Sequence, residues 1–594
     1  MFHQLKKFTA LMVLALLMMS PTVSGQSLTA RNLIIVGDYD PGQGDFLWAS
    51  EANNLIGTAA LYGAGYWGAD ASIANVEGGL AWFGHEVFTS RDAVPVMVMP
   101  GVIMTVSVPT FVNNTFWISD DDYDGHATAV TAMMAGIGLA DNGALTVLGT
   151  GIAPLATIQS GAIATEWSLD DDGNRTGPFT ISRESFLLAY KEYFVTHPVD
   201  VINSSWGYTN PTGRADEYAG VADGLARQNP TVALVVSAGN AGPEVAPGGI
   251  AAGFNTISVG ALDYNAGHAY DHPAAFTSSA PQDFYNPVTD EIISGVRARV
   301  DIAAPGTGMV LATYVPEEEN AAGLYYINAA GTSFAAPMVS GGIALLKDLA
   351  RGELSGAPRD AALDTRVIKA VLMAGATRTA GWDNGQHVEG ALTVTTQALD
   401  YSVGAGLVNL ERSAYILLAP ADGQRDGLDL VNGGWELTEL AANATDSYTF
   451  QLTGVAVELT VSLNWFSQTV FIADADADTA GYQDLWFSNL NLGLYRIVGE
   501  DWLMVAQSTS IYGNTEFLRL ELGSDTYGIR VTNAGTIFDT IDSGLPGQTE
   551  AYALAWSTMS VPEPAVWVML LPAVALLALT LRHRRQGKRV APWP

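Results

Sequence analysis

From about Ile73 to Leu410, short apolar or β-branched runs alternate with longer helical patterns and Gly-rich turns. Val199-Asp200-Val201-Ile202-Asn203 and Val232-Ala233-Leu234-Val235-Val236 are of the strand type, while Ser182 to Tyr193, Tyr218 to Arg227 and Phe334 to Leu349 carry the helical pattern. That alternation predicts an α/β unit, a parallel sheet covered by helices on both faces. After Pro420 the period changes to two residues, in Asp446-Ser447-Tyr448-Thr449-Phe450-Gln451-Leu452, Leu459-Thr460-Val461-Ser462-Leu463 and Tyr527-Gly528-Ile529-Arg530-Val531. Half-buried antiparallel strands have this pattern, so an all-β sandwich or jelly roll is expected to follow the α/β unit. The expected division is 26–54 as a short N-terminal segment, 55–415 as the α/β domain and 416–556 as the β domain.

Both ends break these patterns. Residues 1–25 place Lys6 and Lys7 before an apolar run from Phe8 to Met19, then Pro21 and the small residues Val23-Ser24-Gly25, the three-part build of a secretory signal with cleavage expected before Gln26. Within 561–594, Val561-Pro562-Glu563-Pro564 precedes an apolar stretch, 565–581, and then Arg582, His583, Arg584 and Arg585. Seventeen residues at about 1.5 Å each span about 25 Å, near the lower limit for crossing a bilayer, and the basic cluster fits a cytoplasmic end. This tail resembles the PEP-CTERM sorting signal of Gram-negative bacteria. The resemblance implies export, recognition by a membrane sorting machinery, and residence as a membrane-anchored or cell-surface protein.

Composition narrows the chemistry. The chain has 594 residues, 48% apolar and 15% charged, enough to bury a large core. Sixty-one acidic against 27 basic residues give a formal charge of −34, which leaves no counterion-release drive toward nucleic acid. Cysteine is absent, which excludes disulfides, thiol catalysis and thiolate metal sites.

The strongest chemical signal is Gly331-Thr332-Ser333-Phe334-Ala335-Ala336-Pro337-Met338-Val339-Ser340-Gly341. A serine at a helix start exposes its hydroxyl on a tight turn, and its own N–H points where an oxyanion would form. Pro337 is expected in the helix's first turn, where its missing N–H costs little. The segment resembles that of the subtilisin-like serine peptidases, over about residues 70–412. By that resemblance Ser333 is the nucleophile. His126, in Asp124-Gly125-His126-Ala127-Thr128-Ala129, is its base, and Asn240, in Ala238-Gly239-Asn240-Ala241-Gly242, is the oxyanion-hole amide. Ser205, Trp206 and Gly207, with Gly239, match the edge that pairs with an extended substrate, although a buried structural Trp206 is as good a reading. Gly151-Ile152-Ala153-Pro154, Ile302-Ala303-Ala304-Pro305-Gly306 and Gly404-Ala405-Gly406-Leu407 resemble further family landmarks in the right order. Through Asn489-Leu490-Asn491-Leu492-Gly493-Leu494-Tyr495-Arg496 and the closing Gly523 to Val531 strand pair, the β block resembles the C-terminal domains that often follow bacterial secreted peptidases, which implies a stabilising or surface-binding role.

The third catalytic member is the departure. Where the family places Asp, Ala71-Ser72-Ile73-Ala74-Asn75-Val76-Glu77-Gly78 offers Glu77, and His85 falls where the family often has a second His. A carboxylate of either length can orient an imidazole, as the related sedolisins do with Glu. Asp70, Asp122 and Asp124 compete for the role, and Glu77 ranks first by position. The resulting expectation is an exported serine endopeptidase acting on protein or peptide. Its alternative is a catalytically impaired surface protein with a binding or structural role in the cell envelope. No cofactor is required. Structural Ca²⁺ is conceivable at Asp170-Asp171-Asp172-Gly173-Asn174 or Asp474-Ala475-Asp476-Ala477-Asp478, for which solvated acidic turns are the default reading.

Overall fold

The structure is a computed structural model that describes residues 34–36, 47–89, 95–99, 102–105, 112–115, 123–141, 144–169, 171, 175–208, 216–264, 269–314, 325–421, 433–453, 457–473, 481–541 and 548–558. The expected leader 1–25 and tail 561–594 lie outside these residues. So do Asp122 and, except for Asp171, the two acidic turns. Among the described residues no helix is long and apolar enough to cross a membrane, and no three His, Asp or Glu side chains gather as a metal site.

An eight-stranded sheet forms the first unit. Its strands are β1 (Ser72–Glu77), β2 (Val112–Thr115) and β3 (Thr157–Ala162). A hairpin of β4 (Glu166–Leu169) and β5 (Arg175–Thr180), which among the described residues pair only with each other, follows. Then come β6 (Val201–Ser204), β7 (Ala233–Ser237), β8 (Ile257–Tyr264), β9 (Tyr270–Pro273) and β10 (Ile302–Pro305). The spatial order is β9-β8-β7-β6-β1-β3-β2, with β10 also against β8. Every pairing is parallel except β8 with β9.

The unbroken apolar runs are explained by burial on both faces. Val201, Ala233 and Val235 enter one core cluster with α1 (Gly125–Ala135), α4 (Thr332–Glu353) and α5 (Thr365–Gly375). Ile202, Leu234 and Val236 enter the other with α2 (Arg183–Lys191) and α3 (Glu217–Gln228). Neither expected boundary of this unit coincides with a break in structure. The division at 54/55 cuts the helix Ala49–Leu55, whose Ala49 and Ala52 lie in the first cluster. That at 415/416 cuts α6 (Leu410–Leu417). Residues just N-terminal to the expected start thus belong to the packed fold.

The C-terminal strands are β11 (Gly433–Leu440), β12 (Thr445–Leu452), β13 (Val457–Trp465), β14 (Gln468–Ile472), β15 (Gly481–Val498), β16 (Asp501–Ser508), β17 (Thr515–Leu522), β18 (Asp525–Asp539) and β19 (Glu550–Ser557). Four form an antiparallel sheet in the order β11-β19-β13-β17. A seven-stranded sheet runs from a hairpin of the first unit (His387–Glu389 and Leu392–Thr395) through β16, β15, β18 and β12, with β14 also beside β15. Leu459, Val461 and Leu463 from one sheet and Leu490, Leu492 and Leu494 from the other share one apolar cluster. The four-stranded sheet turns its second face to the α/β unit, so that Trp435, Phe517, Ala553 and Ala555 belong to that unit's core.

Candidate active site

The sheet delivers its chemistry at the carboxyl ends of parallel strands, where α/β folds bind ligands. Glu77 is the last residue of β1. His126 is the second residue of α1, which starts there because extended Asp124 caps it, its side chain accepting from Ala127 N–H at 2.7 Å. Asn240 follows β7 after Gly239, whose φ of +105° turns the chain with Ser278 Oγ only 2.9 Å from where a Cβ would stand. Ser333 is the second residue of α4. The helix begins at Thr332, earlier than the sequence pattern implied. Pro337 is therefore the sixth helical residue rather than part of the first turn, and it lacks the N–H that would bond the Ser333 carbonyl.

These residues line one open cleft of about 550 Å³. Glu77 Oε2 stands 3.4 Å from His126 Nδ1, and its Oε1 accepts the Ser205 N–H at 2.8 Å. With Nδ1 toward the carboxylate, Nε2 is left as the basic atom. The carboxylate is nearly sealed, with 2% of its side chain exposed, against 39% for His126. Burial pushes the Glu77 carboxyl up, opposed by the hydrogen bond and charge of His126. Burial pulls His126 down, but the hydrogen bond and charge of Glu77, with the charge of Asp124, outweigh it and hold the imidazole above its ordinary range. The resting Ser333 hydroxyl donates to the Ser205 carbonyl at 3.1 Å.

Thr332 orients Asn240: its N–H and Oγ1 both approach Asn240 Oδ1, at 2.9 and 2.8 Å. A backbone N–H can only donate, so Oδ1 is the bound end and the NH₂ remains for another acceptor. Nothing in the sequence pattern pointed to Thr332 beyond its place beside the serine.

Of the competing acids, Asp70 precedes the opposite end of β1 and Asp124 is engaged as the helix cap. Glu77 is the carboxylate set against the imidazole. His85 is fully buried against Tyr326, outside the cleft lining. Ser205 is buried and its backbone N–H and C=O are engaged by Glu77 and Ser333. Gly207 and Gly239 line the cleft, and Trp206 does so while 7% exposed, packed near Phe179 and Phe186. Trp167 and Phe179 of the β4–β5 hairpin form a further wall that sequence reasoning missed. One aromatic on each strand, Trp167 and Phe179, either side of a polar turn was the available signal.

A hydroxyl at a helix start, an imidazole held by a sealed carboxylate and a free amide can together activate a serine for acyl transfer. That is the class of a serine hydrolase on an α/β scaffold. The chain belongs to the subtilase family, whose model matches residues 108–406, just over half of its length. The match includes His126, Asn240 and Ser333 and begins after Glu77. Among curated proteins, it is similar to two subtilisin-like proteases of Arabidopsis thaliana. It is 37% identical to SBT3.8 over 114 residues, 19% of this chain and 13% of that protein. It is 33% identical to SBT3.5 over 176 residues, 29% and 20% respectively. The matched stretches thus span a fifth or less of those relatives' length. Among solved structures, it resembles the prenylagaramide maturation protease PagA at TM-score 0.40 and 20% identity, covering 60% of this chain and 98% of that one. It resembles the patellamide maturation protease PatA at 0.37 and 23%, covering 58% and 96%.

Proposed function

We infer that the chain is an exported serine endopeptidase working through Ser333, His126 and Glu77. The observation that carries this reading is the convergence on one cleft of Ser333, Asn240 and an imidazole paired with a buried carboxylate. Ser333 Oγ rotates from the Ser205 carbonyl, attacks the peptide carbonyl and gives its proton to His126 Nε2. The Asn240 NH₂ and Ser333 N–H hold the oxyanion. As the C–N bond breaks, His126 returns that proton to the leaving amine. Water then cleaves the acyl-enzyme by the same route, while Glu77 keeps the imidazole oriented.

The test is labelling of the full chain by a fluorophosphonate beside casein digestion, each compared with Ser333→Ala. Labelling and digestion lost together in the variant are expected. Folded wild type that takes no label overturns the reading.

Residues 1–25 direct export, and 561–594 act as a PEP-CTERM tail handled by a membrane sorting machinery in a Gram-negative bacterium, leaving the protein anchored or at the cell surface. The C-terminal strands act as a β-sandwich that stabilises the peptidase unit. Mass spectrometry of both termini of protein recovered from the envelope tests the address, with Gln26 as the expected first residue.

A further inference from the structure

Beneath the cleft, polar side chains occupy positions where the strand and helix patterns call for apolar ones. Asn75 sits inside β1 between Ala74 and Val76, Thr131 on the buried face of α1, Asn203 inside β6 and Ser340 inside α4. All four are 0% exposed. A buried amide is costly unless its groups are paired, and these are. Asn75 Nδ2 donates to Thr131 Oγ1 at 2.9 Å and to the Ala127 carbonyl at 3.3 Å, while its Oδ1 accepts from Asn203 Nδ2 at 3.0 Å. Asn203 Nδ2 also donates to Ser205 Oγ at 3.1 Å, and its Oδ1 accepts from Ser340 Oγ at 2.8 Å.

Each member lies on an element that carries one part of the site. Asn75 is two residues before Glu77. Ala127 follows His126, and Thr131 is on the same helix. Asn203 is two residues before Ser205, which touches both Glu77 and Ser333. Ser340 is about two helical turns beyond Ser333. Apolar packing of α1 and α4 on the sheet is non-directional and tolerates small slides and rotations. Hydrogen bonds with defined donors and acceptors do not, and a fully satisfied network favours a single arrangement.

We propose that Asn75, Thr131, Asn203 and Ser340 form a positioning network that fixes the register of the histidine helix, the nucleophile helix and the acid strand against one another. None of the four touches the reacting atoms. Their contribution is to the relative placement of Glu77, His126 and Ser333, which acyl transfer requires to within fractions of an ångström.

The inference rests on the peptidase reading, and its test separates the two. Full-length Asn75→Val, Thr131→Val, Thr131→Ser and Ser340→Ala are compared with wild type by peptide hydrolysis, with active sites counted by fluorophosphonate so that unfolded molecules drop out. The expected result for Asn75→Val, Thr131→Val and Ser340→Ala is a kcat per labelled Ser333 lower on the order of tenfold at unchanged KM. Thr131→Ser, which keeps the hydroxyl, returns to the wild-type value. If Asn75→Val does not fold, the Thr131 pair and Ser340→Ala decide. Wild-type kcat per labelled site in the substituted proteins overturns the network's role, even where their melting temperature falls. So does a Thr131→Ser protein that behaves like Thr131→Val. Wild type that takes no label overturns the peptidase reading itself.

Discussion

The side chain that departs from its family's pattern is also the one whose surroundings say most about pH. Glu77 reaches His126 with one oxygen and the Ser205 N–H with the other, so the extra methylene is absorbed without losing either contact. A base must be neutral to accept a proton, and His126 is held above its ordinary range. The acid limb of kcat/KM should therefore fall above about pH 6.5. Glu77→Gln removes the hydrogen-bonded charge, leaving only that of Asp124 on His126, so the limb should move to lower pH while kcat drops on the order of 10³–10⁴. A pH–rate profile whose limb does not move would remove Glu77 from the role. Asn240→Ala should lower kcat by about 10²–10³ at little change in KM, and steady-state kinetics on one peptide checks it. Ser333, His126 and Asn240 were legible because each sits in a contiguous run that resembles a segment of the family's pattern. Thr332 and Pro337 were not: the orientation of Asn240 arises only when α4 meets the turn after β7, and the start of α4 is set by Gly331 and tertiary packing rather than by periodicity.

At the scale of elements, periodicity located several of the strands and helices to within a few residues, although the strand read as Tyr527 to Val531 runs on to Asp539. Tyr218 to Arg227 became Glu217–Gln228, and Leu459 to Leu463 became Val457–Trp465. The β4–β5 hairpin was missed because its meaning lies in what it covers. Trp167 and Phe179 are cross-strand partners, and both rings pack within 2.7–2.8 Å of where a Cβ on Gly78 would stand. Only a glycine after Glu77 admits that approach, so the hairpin roofs the acid segment and walls the cleft together. Among the described residues, the cleft lining carries no charged side chain apart from Glu77, Asp124 and His126. Peptides with bulky apolar residues should therefore be cut in preference to charged ones. Trp167→Ala and Phe179→Ala should each lower kcat/KM for such peptides about tenfold, with smaller losses on peptides bearing small side chains. Competition in a mixed peptide library reads this out, and equal losses across the library would reduce the hairpin to a structural cover.

At the scale of the whole molecule, two-residue alternation divides buried from polar but does not say what the polar face meets. Along β13, Leu459, Val461 and Leu463 enter the cluster shared by the two sheets, as the pattern implies. Thr460, Ser462 and Asn464 are also buried, facing α5, where Thr460 Oγ1 donates to the Ala374 carbonyl at 2.6 Å. Paired polar atoms at such a face look like solvent-facing residues in the sequence, so the fusion of the two units was invisible there. Arg519 is the clearest hold on that junction. It is 2% exposed and donates to the Ala405 and Ala376 carbonyls at 2.9 and 2.8 Å, from a C-terminal strand into loops of the α/β unit. Arg519→Ala leaves two buried acceptors unpaired and should cost about 2–4 kcal/mol, read as a lower melting temperature with kcat per labelled site unchanged. Ending the chain at residue 421 should be far worse, because it strips Trp435, Phe517, Ala553 and Ala555 from the core and exposes the face of α5 they cover. Limited proteolysis of the truncated and full-length proteins makes the comparison. A truncated chain as resistant as the full one would mean that the α/β unit is stable without the sheet packed on it.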